Sequence, residues 1–127
     1  MDAPIHFEIV GRRAVYRPVA EVSLSRAIAM VNDALAFARE RDCRELLMVI
    51  TGLTGFPSPS ITDRFYFVQE WARTAGGRVR LAVVARAELI DPQRFGVTVA
   101  RNHGLIGDIF VSEDEAVAWL DGRDQAG

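Results

Sequence analysis

A chain of 127 residues that is 50% hydrophobic is long enough for one core and too apolar to stay unfolded, so a single domain over 1–127 is expected. Lys+Arg 15 against Asp+Glu 17 leaves a formal charge of -2 with no block of either sign, which removes the footprint of a nucleic-acid binder. The opening residues Asp2, Pro4, His6 and Glu8 do not make a signal segment, and no apolar run approaches the roughly 18 residues of a membrane span. The expected setting is therefore the cytoplasm, with no integral membrane segment.

Ile5–Val10 and Ala14–Val19 read as two short strands joined by Gly11, Arg12 and Arg13, an opening hairpin. From Ser23 the apolar spacing changes to three and four residues: Leu24, Ile28, Val31, Leu35 and Ala38 share one helical face, with Ser23 as its cap. Arg39, Glu40, Arg41 and Asp42 mark the polar end of that helix. Cys43, the lone cysteine, falls in the following turn as a semi-buried thiol without a disulfide or metal partner.

Leu46–Ile50 is continuously apolar, as a central strand covered on both faces would be. Gly52, Gly55, Pro57 and Pro59 then forbid either regular element. Ser60 and Asp63 have the spacing of a capping box, and Phe65, Val68 and Ala72 continue as the apolar stripe of a second helix from Ile61 to Ala75, stopped by Gly76 and Gly77. Val79–Ala85 is the next strand. Asp91 followed by Pro92 suits the cap and first residue of a third helix, packed through Phe95, Val99 and Ala100 and ending near Asn102, His103 and Gly104. Asp108–Val111 is a final short strand. Ser112 and Glu115 repeat the capping-box spacing before a fourth helix carrying Ala116, Val117, Trp119 and Leu120, and a polar tail runs from Asp121.

The order is therefore β-β-α-β-α-β-α-β-α, an α/β domain with a mixed five-stranded sheet, four flanking helices and parallel later strands. In such a sheet the strand ends and the helix starts that follow them collect at one edge. Thr51, Ser58, Ser60, Arg86 and Ser112 belong to that edge and are the candidate regulatory or anion-binding residues. A phosphate on Ser60 would meet helix N–H groups and Arg86, with Asp63 as a like charge nearby. The plainer reading makes Ser60 and Ser112 helix caps and leaves Arg86 in solvent.

Phe65, Tyr66, Phe67 and Trp71 cluster on the second helix. Consecutive aromatics cannot share one face, so Phe65 is expected in the core, with Tyr66 or Trp71 facing an interface or a groove. Trp119 is expected to seal the core beside the last helix. Bond-making chemistry is not written in the chain. Gly52 and Gly55 lack the ending of a phosphate loop, and His6 and His103 stand apart from any metal-ligand spacing. Ser58 or Ser60 lacks a nucleophile elbow, and His103 lies at the far end of the third helix. No catalytic residue, metal or cofactor is assigned.

The stretch Leu81–Leu105, LAVVARAELIDPQRFGVTVARNHGL, with Asp108–Leu120, DIFVSEDEAVAWL, resembles the small STAS-like or SpoIIAA-like proteins, and the order of elements from about Ala14 to Leu120 resembles the STAS fold. The resemblance implies a five-stranded sheet flanked by helices and a regulatory serine near the start of the second helix. The corresponding region here is Ser58, Pro59 and Ser60, where the family loop has an Asp-Ser or Ser-Ser pair followed by Gly. Three functions follow as expectations. The first is a non-enzymatic regulatory or protein-interaction module with a protein partner. The others are a small-molecule or lipid-binding module taking an apolar or anionic ligand, and a homodimeric scaffold.

Overall fold

The computed structural model describes residues 6–122; Ile5, the expected first residue of the opening strand, and residues 123–127 of the tail lie outside the described residues. In chain order the first half holds β1 (Phe7–Val10), β2 (Arg13–Tyr16), β3 (Ala20–Glu21), α1 (Leu24–Glu40), β4 (Glu45–Val49) and β5 (Leu53–Thr54). The second half holds α2 (Ile61–Ala75), β6 (Arg80–Val84), a 3-10 turn (Ala87–Leu89), α3 (Phe95–Asn102), β7 (Gly107–Phe110) and α4 (Glu113–Leu120).

The main sheet has five strands in the order β1-β2-β4-β6-β7, with β1 and β2 antiparallel and every other pair parallel. Successive side chains of a strand point to opposite faces, and the helices divide accordingly. Leu46, Met48, Leu81 and Val83 enter the core beneath α1, α2 and α3, with Val31, Leu35, Val68 and Val99 above them. Leu47, Val49, Ala82 and Val84 face the other way and are covered by Ala116 and Leu120 of α4. Three helices thus crowd one face while one short helix serves the other.

The second strand stops at Tyr16 rather than Val19. Pro18 has no N–H for a ladder, and the chain turns into β3, which pairs in parallel with β5 as a separate two-stranded sheet. Ala20 N–H donates to the Gly52 carbonyl (3.1 Å) and Val22 N–H to that of Thr54 (2.7 Å), tying the approach to α1 to the loop after β4. A Cβ on Gly52 would lie 2.8 Å from the Pro18 carbonyl oxygen, so this crossing requires glycine.

Caps fix where the helices begin. Ser23 Oγ accepts from Arg26 N–H (3.1 Å) and Ser112 Oγ from Glu115 N–H (3.2 Å). The third helix starts at Phe95, three residues beyond the proline expected to open it. The Asp91 carboxylate accepts from the N–H groups of Gln93 (3.3 Å) and Phe95 (2.8 Å), which closes residues 91–94 into a turn. Arg94 then has φ 54, a left-handed conformation that cannot belong to a right-handed helix.

At the opposite end of the sheet, Glu45 accepts from Arg13 Nε (2.9 Å) and Arg80 Nη1 (3.3 Å). The Arg80 guanidinium also donates to the Leu120 carbonyl (3.1 Å) and lies 4.7 Å from the Trp119 ring, anchoring the end of α4. Trp119 meets Phe110 at 5.7 Å and closes that side of the core. Cys43 is fully buried rather than half-buried, and burial pushes its thiol above the ordinary value. No helix among the described residues is long and apolar enough to cross a membrane.

Candidate functional site

α2 packs against both α1 and α3, and beneath it the three helices leave a cavity of about 130 Å³ over the sheet. Ile28 and Val31 of α1 form one side, and Phe67, Val68 and Trp71 of α2 the roof. Leu81, Val83 and Ile109 supply the floor, and Phe56 and Pro59 of the glycine- and proline-rich loop stand at the rim. The third wall is α3, where Gly96 and Ala100 are too short to fill the space that larger residues would occupy. The Trp71 indole N–H donates to the Ile28 carbonyl (3.2 Å), so the ring presents carbon to the interior. A lining this nearly free of polar atoms favours an apolar occupant over water.

Charge is confined to four lining residues: Arg64, Asp91, Arg94 and Asp108. Arg94 is paired with Asp108 and donates to the Ile109 carbonyl (3.1 Å). Asp91 is engaged by the two backbone N–H groups of its turn. That of Phe95 is the main reason its carboxyl is held below the ordinary 3.8, with Gln93 N–H and the Arg64 charge acting in the same direction. Arg64 donates from Nη2 to Ser58 Oγ (3.2 Å) and to the Leu89 carbonyl (2.9 Å). No carboxylate lies within 4.0 Å of it among the described residues.

The residues of the serine edge each make their own contacts. Ser60 completes a capping box: its hydroxyl accepts from Asp63 N–H (3.0 Å), and its own N–H donates to Asp63 Oδ2 (3.3 Å). Ser112 caps α4 on the other face of the sheet from α2, so the two capping serines serve opposite layers. Ser58 is exposed and meets Arg64; Thr51 is exposed on the loop between β4 and β5. Arg86 pairs with Glu88 (3.6 Å) beside the 3-10 turn. The cation that joins the serine loop is Arg64.

The aromatics separate by face. Tyr66 is 67% exposed, whereas Trp71 is half-buried, 4.6 Å from Phe67, and lines the cavity. Phe65, expected in the core, is 39% exposed and packs its ring against Tyr66 (5.5 Å) and His103 (6.3 Å). The inward stripe runs through Phe67, Val68, Trp71, Ala72 and Ala75, a rotation away from Phe65. Arg64 precedes Phe67, Val68 and Trp71 by three, four and seven residues, the spacing that places it on this same stripe. That phase is the signal by which the sequence could have pointed to Arg64.

The cavity walls contain no serine, threonine, cysteine or histidine, so they pair no nucleophile with a base. Among the described residues no group of three His, Cys, Asp or Glu side chains is placed to hold a metal ion. What the arrangement can do is enclose apolar surface and present one guanidinium at its border. No family model matches the chain, and neither the curated proteins nor the solved structures give a match.

Proposed function

We propose that this protein is a binding module for a small apolar molecule, held between α1, α2, α3 and the face of the sheet. The observation that carries the reading is the apolar cavity of about 130 Å³. Its apolar walls are partly open to solvent, and an occupant of matching shape removes that hydrocarbon surface from water. The cavity's place between a layer of helices and the sheet, with charged groups only at a few lining positions, is that of an apolar ligand pocket. The order of elements supports grouping the chain with the STAS-like domains, and binding without bond-making chemistry agrees with that grouping.

Toluene is a suitable first probe, since it is neutral and about the size of the space. Trp71 and Trp119 each carry one indole N–H, and a Trp119→Phe variant assigns the two signals in a nitrogen-correlated NMR spectrum. Toluene should move the Trp71 signal and leave that of Trp119 in place. Native mass spectrometry of the purified chain should also show a retained small molecule. An unmoved Trp71 signal at toluene saturation rejects the reading.

A second reading, a regulatory protein contact, is supported by the exposed Ile61, Phe65 and Tyr66 at the start of α2, next to Ser60. A phosphate on Ser60 would gain the helix N-terminus and repel Asp63, altering this patch without altering the fold. Partner or self-association weakened by Tyr66→Ala in a chain of unchanged stability supports it. A monomer throughout the micromolar range that captures no partner rejects it.

A further inference from the structure

We propose that the ligand of this cavity is a small apolar acid, its hydrocarbon body enclosed by the three helices and its carboxylate held by Arg64; the inference rests on the binding reading above. Of the four charged residues at the walls, three are occupied by one another or by the backbone. Arg94 is taken by Asp108 and the Ile109 carbonyl, and both Asp91 oxygens accept backbone N–H groups. The start of α3 further offsets the Asp91 charge, because its free N–H groups and helix dipole favour an anion there.

Arg64 is different. Its two acceptors are a hydroxyl and a carbonyl, both neutral and both served from Nη2. Nε and Nη1 have no acceptor among the described residues, so part of a guanidinium fork remains available beside an apolar chamber. A charge-assisted hydrogen bond from arginine to a carboxylate is about twice as strong as a neutral one. An amine would find no free carboxylate, since Asp91 and Asp108 are already engaged. A doubly charged phosphate would meet one cation and then the Asp91 carboxylate. The hydroxyl of Ser58 holds the guanidinium at the rim, which assigns that serine a positioning role rather than direct contact with the ligand.

The test compares phenylacetate with phenylacetamide, which has the same shape and no charge, and with phenethylamine, on the full chain at neutral pH. Calorimetry gives the affinities and the Trp71 indole signal gives the location. Phenylacetate should bind the wild type about tenfold more tightly than the amide, a preference of about 1.4 kcal/mol. In Arg64→Gln this preference should vanish while the amide affinity stays within about twofold, because the apolar walls are untouched. Arg64→Lys, which keeps the charge, should retain a preference for the acid and serves if the glutamine variant does not fold. Equal binding of acid and amide to the wild type, or tighter binding of the amine, overturns the inference while leaving the cavity reading intact. If neither these probes nor toluene moves the Trp71 signal, the binding reading itself fails and the acid proposal falls with it.

Discussion

Gly96→Ala should stabilise the protein, although glycine stands there in a helix that would gain from almost any other residue. Gly96 is the second residue of α3, and a Cβ added to it would meet only Val68 Cγ2, at 3.7 Å, an ordinary van der Waals contact. Glycine costs about 0.5–1 kcal/mol against alanine inside a helix, and the lower figure applies in the first turn, where N–H groups have no intrahelical partner. Burying about half of a methyl group adds about 0.4 kcal/mol. The sum is about 1 kcal/mol, or about 3–5 °C in Tm for a domain of this length. Thermal unfolding followed by circular dichroism, with urea midpoints alongside, reads the change. Gly96→Leu extends the same direction into the 130 Å³ space and should abolish the toluene response at Trp71. A fall in Tm for the alanine variant would refute the reasoning. So would a leucine variant that binds toluene as the wild type does. The expected pair of outcomes would mean that helix stability is forgone at Gly96 to keep the chamber open.

Ser60→Ala removes the hydroxyl that accepts from Asp63 N–H and should lower stability by about 1 kcal/mol, read as a shift in urea midpoint at unchanged m-value. Asp91 confers a pH dependence with a definite sign. Its folded carboxyl titrates below the ordinary 3.8, so the stability it contributes is complete above that pH and is lost as pH falls through the lower folded value. Asp91→Asn should flatten the acid limb of a stability-against-pH profile, and an unchanged limb would refute the assignment. Cys43, 3% exposed with its thiol raised by burial, should react with a thiol reagent only as fast as the chain opens. Rapid labelling of the native protein would contradict its burial.

Local physics made much of the architecture legible in the chain. Ser23 and Ser60 announced helix starts because a hydroxyl three residues before an otherwise unsatisfied N–H is a short-range interaction. Leu46–Ile50 announced a central strand, observed over Glu45–Val49, because a strand buried on both faces is apolar at nearly every position. The long connections between strands required parallel pairing. Boundaries governed by distant partners were less legible: Asp91 and Pro92 have the pattern of a helix start, yet Arg94, held by Asp108 and the Ile109 carbonyl, delays the helix to Phe95. The pairing of β3 with β5 was equally hidden, since two residues on each side carry no periodicity.

By itself, then, the sequence determined an α/β fold with a mixed five-stranded sheet, four helices and an aromatic-rich second helix, properties of spacing within and between neighbouring elements. Only the tertiary structure decided which side of that helix faces inward. Phe65 and Phe67 are equally apolar, but Phe67, Val68 and Trp71 lie over the sheet and cavity while Phe65 turns toward His103 and solvent. The cavity itself belongs to no element. It lies where Gly96 and Ala100 of α3, Val68 and Trp71 of α2 and Ile28 and Val31 of α1 line one space over the sheet, with Arg64 on the same stripe of α2. Spacing along the chain records the period of a helix, whereas empty space between helices is set by which short residues meet across it.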